Sequence, residues 1–323
     1  MRIGFSPLFE WHGYLFDDLR TANTLTNRLT ASKPAKSQWL QNNQNRFAIL
    51  FLIVFLVAVV SSTLYYSKIF LPYPTATPAT QVVPLFVTIS IATTITFVVT
   101  QILLFYFLFR NKTTAARNAT FQVGSFRLEF TWSVLTTIFF VFLFVWGEML
   151  WLKIVDKAPD DALNIEVVGQ QFSWKVRYGG QDQKLGRASF RFVNTDNDSG
   201  VDPADPDGKD DFIPAQMHVP KARPIHLILR SNDVIHSLYI PYFRSKMDAV
   251  PGMITGMNFT PIFSTREMRV KRNDPEFNYE IACAELCGRM HFAMKLILVV
   301  DEPSDFDAWY RSQKPVDVGA TVK

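Results

Sequence analysis

The stretch CAELCGRMHFAM, residues 283–294, brings two cysteines, a glutamate, a histidine and a methionine together in one short segment. Cys283 and Cys287 are the only cysteines in the chain. The segment contains a glycine and lies between two strand-like runs, FNYEIA (277–282) and FAMKLILVV (292–300). Because glycine disfavours a helix interior, and because aromatic and β-branched residues favour strands, we predict a loop between two β-strands here.

The chain around this loop, from about residue 153 onward, has the same strand-like character. Further short runs are rich in β-branched or aromatic residues: NIEVVG (164–169), FSWKVRY (172–178), PIHLILRS (224–231) and TGMNFTPIF (255–263). Clusters of Pro, Gly, Asp and Asn separate them, and several such strands within ~150 residues predict an antiparallel sandwich or barrel. The aspartate-rich segment 194–211 is predicted to be a solvated loop that contributes nothing to the core.

The first half of the chain has a different composition. Three of its segments are long, apolar and free of charged residues: 47–66, 83–109 and 130–147. Since crossing the hydrocarbon core of a bilayer takes ~20 apolar residues, we predict three membrane helices, over 47–66, 83–109 and 130–152. The first is predicted to be retained rather than cleaved as a signal peptide, because 46 residues precede it.

Basic residues near the helix ends predict the orientation in the membrane. Six lie in the first 46 residues and four in the loop 110–129, whereas the loop 67–82 carries only Lys68. The N-terminus and the loop 110–129 are therefore predicted to be cytoplasmic, which places the β-rich half in the periplasm of a bacterium, anchored in its inner membrane. The small net charge of +4 gives no indication of nucleic acid binding.

These patterns divide the chain into four predicted parts. They are a cytoplasmic N-terminal segment (1–46), the membrane helices (47–152), a periplasmic β domain (153–302), and a short helix around Phe306 and Trp309 followed by a loose tail (303–323).

The side chains of the cysteine loop narrow the chemistry to a metal site. A disulfide between Cys283 and Cys287 would suit an oxidising compartment, and zinc would suit both cysteines with two histidines. Neither alternative uses the thioether of Met294, whereas thiolate and thioether donors together favour copper. A mononuclear blue-copper site needs one cysteine, but two thiolates can bridge two coppers. We therefore predict dinuclear copper, with these donors: His236, Cys283, the main-chain carbonyl of Glu285, Cys287, His291 and Met294.

The pattern C-x-E-x-C-G-x-x-H-x-x-M, with DVIHS (233–237) upstream, resembles the dinuclear copper motif, CuA, of cytochrome c oxidase subunit II. The similarity continues through KMDAVPG (246–252), QFSW (171–174) and LEFTWS (128–133), and it covers roughly residues 83–310. The resemblance implies a helical hairpin that carries a cupredoxin-like Greek-key β-sandwich. It also implies that the chain accepts electrons from cytochrome c and passes them to the haems of a partner, subunit I, which reduces oxygen to water.

The same resemblance implies roles for four further groups. Glu129 would be the entrance of a proton path into subunit I, and the side chain of Glu285 would reach a magnesium ion shared with that subunit. Phe172 stands where relatives have the tryptophan through which electrons enter, so we predict it as the contact surface and Trp174 mainly as packing. Acidic residues, Asp233 and the aspartates of 196–211, are predicted to steer a basic cytochrome c.

Several positions depart from the family pattern, which limits how far the roles of family members can be assigned to this chain. The helix over 47–66 is additional, Met253 replaces a common arginine, and Thr136 replaces a common proline. A C-x-x-C-H haem-attachment motif is missing from the sequence, so no fused cytochrome c is predicted.

Two other functions compete with this interpretation. A copper-free quinol oxidase subunit II, a structural partner, would have lost copper ligands, and none is missing here. A nitrous oxide reductase carries a similar dicopper site, but it would lack the helical hairpin and need a large propeller domain, for which the sequence has no counterpart.

Overall fold

The computed structural model describes residues 35–69, 73–110, 124–194 and 197–316. Most of the N-terminal segment and the end of the C-terminal tail lie outside these described residues, so the predictions for them remain predictions. The chain divides into two compact units, one made of Met1–Phe70 and Val98–Ala119 and the other of Leu71–Phe97 and Thr120–Lys323. The second unit contains the cysteine loop.

Three long helices occupy the first half: α1 (Ala35–Ile69), α2 (Thr77–Arg110) and α3 (Phe126–Val155). Among the described residues, two stretches are long and apolar enough to cross a membrane, Thr77–Leu108 and Phe126–Val155. Helices of the predicted length and apolar character are therefore present at the second and third predicted positions. The prediction of a third span, over 47–66, is not confirmed: the segment is helical, but its described apolar stretch is Arg46–Ser62, shorter than the ~20 residues that a bilayer requires.

The interior of α2 satisfies its own polar groups, as a membrane helix must. The hydroxyls of Thr88, Ser90 and Thr96 donate to the carbonyl oxygens four residues earlier, at 2.8–2.9 Å. Large apolar side chains on α2 and α3 remain exposed, as expected for surfaces that face lipid tails.

The second half is a sandwich of two β-sheets. One sheet has the order β2-β1-β4-β7 and the other β3-β9-β8-β5-β6. The strands are β1 (Leu163–Gln170), β2 (Ser173–Tyr178), β3 (Met217–Pro220), β4 (Ile225–Ser231), β5 (His236–Ile240), β6 (Ser245–Ala249), β7 (Thr255–Phe259), β8 (Tyr279–Cys283) and β9 (Lys295–Asp301). Side chains that alternate along the strands fill the space between the sheets, among them Ile165, Leu227, Leu238 and Leu298.

The prediction of a sandwich is confirmed, but its strands are not all antiparallel. β1 runs parallel to β4, and β3 runs parallel to β9. Alternation along a strand predicts which face is buried and not the direction of its neighbour, so the sequence pattern could not reveal this. β3, β5 and β6, with four or five residues each, were not predicted, and neither was helix α4 (Thr265–Arg272), which begins with a capping box between Ser264 and Glu267.

The prediction that the aspartate-rich segment is a solvated loop without a part in the core is wrong. Several of its described residues are buried, including Val201 at 2% exposure and Ser199 at 1%, although others remain exposed. The segment covers polar side chains of the first sheet, since Arg230 Nη2 donates to the carbonyl oxygen of Ser199 at 2.7 Å. Asp205 and Asp211 are also buried and paired with arginines, so they are not available to steer a partner protein. Residues 195 and 196 lie outside the described chain.

The predicted C-terminal helix is present as α5 (Pro303–Ser312). It buries Phe306 and Tyr310, and the rings of Trp309 and Tyr310 contact those of Phe212 and Tyr178 edge-on. The Asn258 side chain donates to the carbonyl oxygen of Asp156 at 2.7 Å, which ties β7 to the residue that follows α3.

Candidate metal centre

Three strands of the five-stranded sheet end or begin at the predicted copper site. β8 lies between β5 and β9, with Cys283 opposite Leu238 and Ala282 opposite Lys295. The cysteine loop is therefore a connection between two antiparallel strands, as predicted. The backbone N–H of Cys283 donates to the carbonyl oxygen of Met294 at 3.1 Å, which closes the loop at its base.

The donor atoms predicted from the sequence lie close together at this end of the sheet. Cys283 Sγ is 3.8 Å from Cys287 Sγ, 3.9 Å from His236 Nδ1 and 3.2 Å from the carbonyl oxygen of Glu285. Cys287 Sγ is 3.6 Å from His291 Nδ1 and 3.8 Å from Met294 Sδ. Each sulfur thus has one imidazole nitrogen and one weaker donor on its own side, and the two sulfurs face each other.

These separations fit metal ligation and exclude a disulfide in this structure. Both cysteines are free, and their sulfur atoms lie 3.8 Å apart, far beyond the ~2.05 Å of a disulfide bond. Donors that bind one tetrahedral metal at ~2.0–2.3 Å lie roughly 3.3–3.8 Å from one another. The ligand atoms of His236, Cys283 and Cys287 all lie within 4.8 Å of one another. The donor set of soft sulfur with imidazole suits copper.

Burial shapes the chemistry of the two thiols. Cys287 is 4% exposed, and its burial raises the pKa of the thiol to about 11, with a further contribution from the hydrogen bond and charge of Cys283. A metal that binds here must therefore displace a proton from the Cys287 thiol, since the thiolate is the ligand.

His236 is held in place by a carboxylate that sequence reasoning did not identify as its partner. Its ring is fully buried, and Nε2 lies 2.8 Å from Asp233 Oδ1. This contact leaves Nδ1 directed at the sulfur of Cys283, an arrangement typical of metal-binding histidines. Burial opposes ionisation of Asp233, but hydrogen bonds from the backbone of Gln171, from His236 and from the backbone of Val234 together hold its pKa below the usual value. The Asp-x-x-His spacing is the feature of the sequence from which this pairing could have been predicted.

The two aromatic residues of the QFSW motif lie beside the site, in different surroundings. Trp174 is 5% exposed, and its ring contacts that of His236 edge-on, with 5.8 Å between the ring centroids. Phe172 is half-buried and lies in the turn before β2, not in the strand as predicted. It packs against the cysteine loop, because a Cβ atom added to Gly288 would come within 3.0 Å of its ring.

The two remaining predicted residues are both exposed. Glu285 lies on the cysteine loop, so its side chain is accessible while its carbonyl oxygen points toward Cys283. Glu129 lies in the first turn of α3. Because α3 has 30 residues, which corresponds to roughly 45 Å of helix, Glu129 lies at the end of the helix remote from the β domain. The structure therefore separates Glu129 from the metal donors.

Comparison with known proteins gives consistent matches. The family model for the periplasmic domain of cytochrome c oxidase subunit II matches residues 163–301. The alternative cytochrome c oxidase subunit 2 of Bradyrhizobium diazoefficiens is 35% identical over 232 residues, which cover 70% of this chain and 79% of that protein. Cytochrome c oxidase subunit 2 of Thermostichus vulcanus is 30% identical over 166 residues, covering 51% of this chain and 37% of that protein.

One solved structure adds a weaker likeness. The periplasmic domain of subunit II of the cytochrome oxidase of Bradyrhizobium japonicum is 22% identical, covers 48% of this chain and 96% of that domain, and aligns with a TM-score of 0.32.

Proposed function

This chain belongs to the cytochrome c oxidase subunit II family, and from that premise we propose that its β domain holds a dinuclear copper centre that carries electrons. Membership makes the chain a subunit of an oxidoreductase complex with a periplasmic β domain. The family implies copper, and the proposal adds that this domain binds two copper ions and that the partners are other oxidase subunits. The observation that carries the proposal is the pair of facing sulfurs, 3.8 Å apart, each flanked by an imidazole.

The chain's own residues supply a complete donor set for two ions. Cys283 and Cys287 would hold both ions with their thiolates, His236 and His291 would each add an imidazole nitrogen, and Met294 and the carbonyl oxygen of Glu285 would be the weaker ligands. When bound, the copper pair supplies a one-electron carrier whose charge is shared through both sulfurs. The buried rings of His236 and Trp174 exclude water from the inner side of the site, which favours a fixed geometry in both oxidation states.

The electron donor in this proposal is cytochrome c, and the acceptors are the haems of subunit I. The exposed carboxylate of Glu285 is the candidate ligand for magnesium shared with that subunit. The membrane is the bacterial inner membrane, since the orientation of basic residues places the β domain in the periplasm. The copper-free quinol oxidase alternative is disfavoured, because all the donors are present and close together.

A kinetic measurement tests this function directly. The purified full-length protein, loaded with copper, is mixed with reduced cytochrome c, and the absorbance of both centres is followed in a stopped-flow instrument. Oxidation of cytochrome c in step with reduction of the copper centre supports the proposal. If the copper centre is intact but is not reduced as cytochrome c is mixed with it, cytochrome c is not the donor.

Electron entry is assigned to the turn at Phe172. Changing Phe172 to Leu keeps an apolar side chain over Gly288 but removes the aromatic ring. We expect the rate of reduction by cytochrome c at low salt to fall about three- to tenfold, the size of effect typical of losing a central interface contact. The copper absorption spectrum should not change.

The matched control for this variant is Phe190→Leu. Phe190 is 75% exposed and lies on the aspartate-rich side of the domain, outside the cysteine loop and its neighbours. Reduction rates that are the same in the Phe172 variant and the parent would move the entry point elsewhere on the copper loop.

Glu129 is assigned to proton entry. Glu129 is exposed in the first turn of α3, at the end of the helix remote from the β domain, which in this proposal is the cytoplasmic surface from which protons enter. We expect Glu129→Ala to slow oxygen reduction by the assembled oxidase severalfold while leaving copper reduction by cytochrome c unchanged. Glu148→Ala, near the other end of the same helix, is the control. Unchanged turnover in the Glu129 variant would make it an ordinary interfacial carboxylate.

A further inference from the structure

One side chain outside the donor set connects the two parts of the chain that supply the ligands. Gln171 lies in the turn between β1 and β2, and its side-chain amide donates to the carbonyl oxygen of Cys287 at 2.6 Å. Its backbone N–H donates to Asp233 Oδ2 at 2.7 Å. Since Asp233 in turn holds His236, three short hydrogen bonds link the carbonyl of one ligand to the ring of another.

The backbone of the cysteine loop is shaped to fit this turn. Gly288 has φ +137°, a conformation that disfavours any residue with a side chain. A Cβ atom at this position would also lie 3.0 Å from the Gln171 amide nitrogen and 3.0 Å from the ring of Phe172. Glycine is therefore needed here for two reasons, and the peptide that joins Cys287 to Gly288 rests directly on the turn.

We propose that Gln171 is a positioning residue that fixes the cysteine loop relative to His236. The Cys283 half of the loop is already held by the sheet, because Cys283 pairs with Leu238 of β5. Cys287 lies beyond the end of β8, so the position of its sulfur depends on contacts made by the loop itself. The hydrogen bond from Gln171 supplies such a contact before any metal binds.

This role has a consequence in the metal-free protein that does not depend on copper. Cys287 is 4% exposed, whereas Cys283 is half-buried, so reagents reach the Cys287 thiol only when the loop opens. Losing one hydrogen bond of ordinary net strength shifts such an opening equilibrium roughly three- to tenfold. Cys283 provides an internal reference, because its position depends on the sheet.

The test is thiol alkylation of the metal-free, full-length protein in detergent, with the modified cysteine identified by mass spectrometry. The variants are Gln171→Leu and Gln171→Glu, which are close to glutamine in size and lack the amide donor. Gln170→Leu is the matched control, since the Gln170 side chain only accepts a long hydrogen bond, 3.4 Å, from Asn232. We expect the ratio of Cys287 to Cys283 alkylation rates to rise about three- to tenfold in both Gln171 variants and to stay constant in the control.

Two results would overturn the proposal. Unchanged alkylation rates at both cysteines would mean that Gln171 does not hold the loop, and an equal rise at both, which leaves their ratio constant, would mean general loosening. A second expectation rests on the proposed function and concerns the copper-loaded protein. In the Gln171 variants, copper should be lost to a chelator faster than in the parent, and the reduction potential of the centre should shift. If the parent protein fails to bind a copper pair, the proposed function fails, while the alkylation ratio still decides the role of Gln171.

Discussion

Cys287→Ser is expected to abolish the copper pair, because the Cys287 sulfur lies close to three of the other proposed donors. Its sulfur lies within 3.8 Å of Cys283 Sγ, His291 Nδ1 and Met294 Sδ. A serine oxygen in its place is a hard donor that remains protonated and does not bridge two soft ions. We expect the copper content to fall from two ions per chain to one or none, and the visible absorption of the centre to disappear.

Met294→Leu is the matched control for this variant. The thioether is a weak ligand, so its removal should leave both coppers bound and change the reduction potential. Copper content is measured by elemental analysis of protein that has been freed of loosely bound metal. Two coppers per chain in Cys287→Ser, with an unchanged absorption spectrum, would rule out a bridging role for Cys287.

Arg177→Met is expected to cause the largest loss of stability in the β domain. Arg177 is 2% exposed, and its guanidinium bonds to two buried carboxylates. Nε donates to Glu166 Oε2 at 2.6 Å, and Nη1 donates to Asp211 and to the carbonyl oxygen of Gly186. Methionine fills a similar volume but leaves the carboxylates without this partner. Breaking a buried ion pair in this way typically costs about 3–5 kcal/mol.

The loss of stability in the Arg177 variant should depend on pH, and the direction of this dependence follows from the pKa of Asp211. Burial raises the pKa of this carboxyl to about 6, although the charge of Arg177 opposes the shift. In the folded protein Asp211 therefore binds a proton at pH values where the unfolded chain has released it, so its contribution to the free energy of unfolding rises as the pH falls from above 6 toward 4. Without Arg177 the neutral form is favoured further, and the deficit of the variant should be smaller at pH 5 than at pH 8.

The measurement is urea unfolding of the full-length protein in detergent, followed by tryptophan fluorescence. Lys295→Met is the control, since Lys295 pairs with Glu280 at 3.1 Å with both side chains 53% exposed, and exposed pairs contribute little. Equal stability of the Arg177 and Lys295 variants would show that the buried network does not hold the aspartate-rich segment on the sheet.

The proximity of the proposed copper donors was predictable because most of them lie in one short loop. Residues 283–294 supply five of the six donors, and the sixth, His236, is marked by its own motif. The spacing of ligands within a loop is set by the chain itself, so the sequence carries that information locally.

The contacts that depend on distant parts of the chain were not predictable. Asp211 lies 34 positions from Arg177, and Arg230 lies 64 positions from Glu166, so nothing in the local composition distinguishes these charges from solvated ones. The aspartate-rich segment was therefore misread as a solvated loop. Gln171 lies 116 positions from Cys287, and its contact with the loop likewise has no local signal.

Electron paramagnetic resonance of the oxidised, full-length protein tests the central claim most directly. One unpaired electron shared by two thiolate-bridged coppers is expected to show hyperfine coupling to two equivalent copper nuclei, with metal analysis giving two coppers per chain. Hyperfine coupling to a single copper nucleus, or a silent spectrum with zinc in the site, would contradict the account.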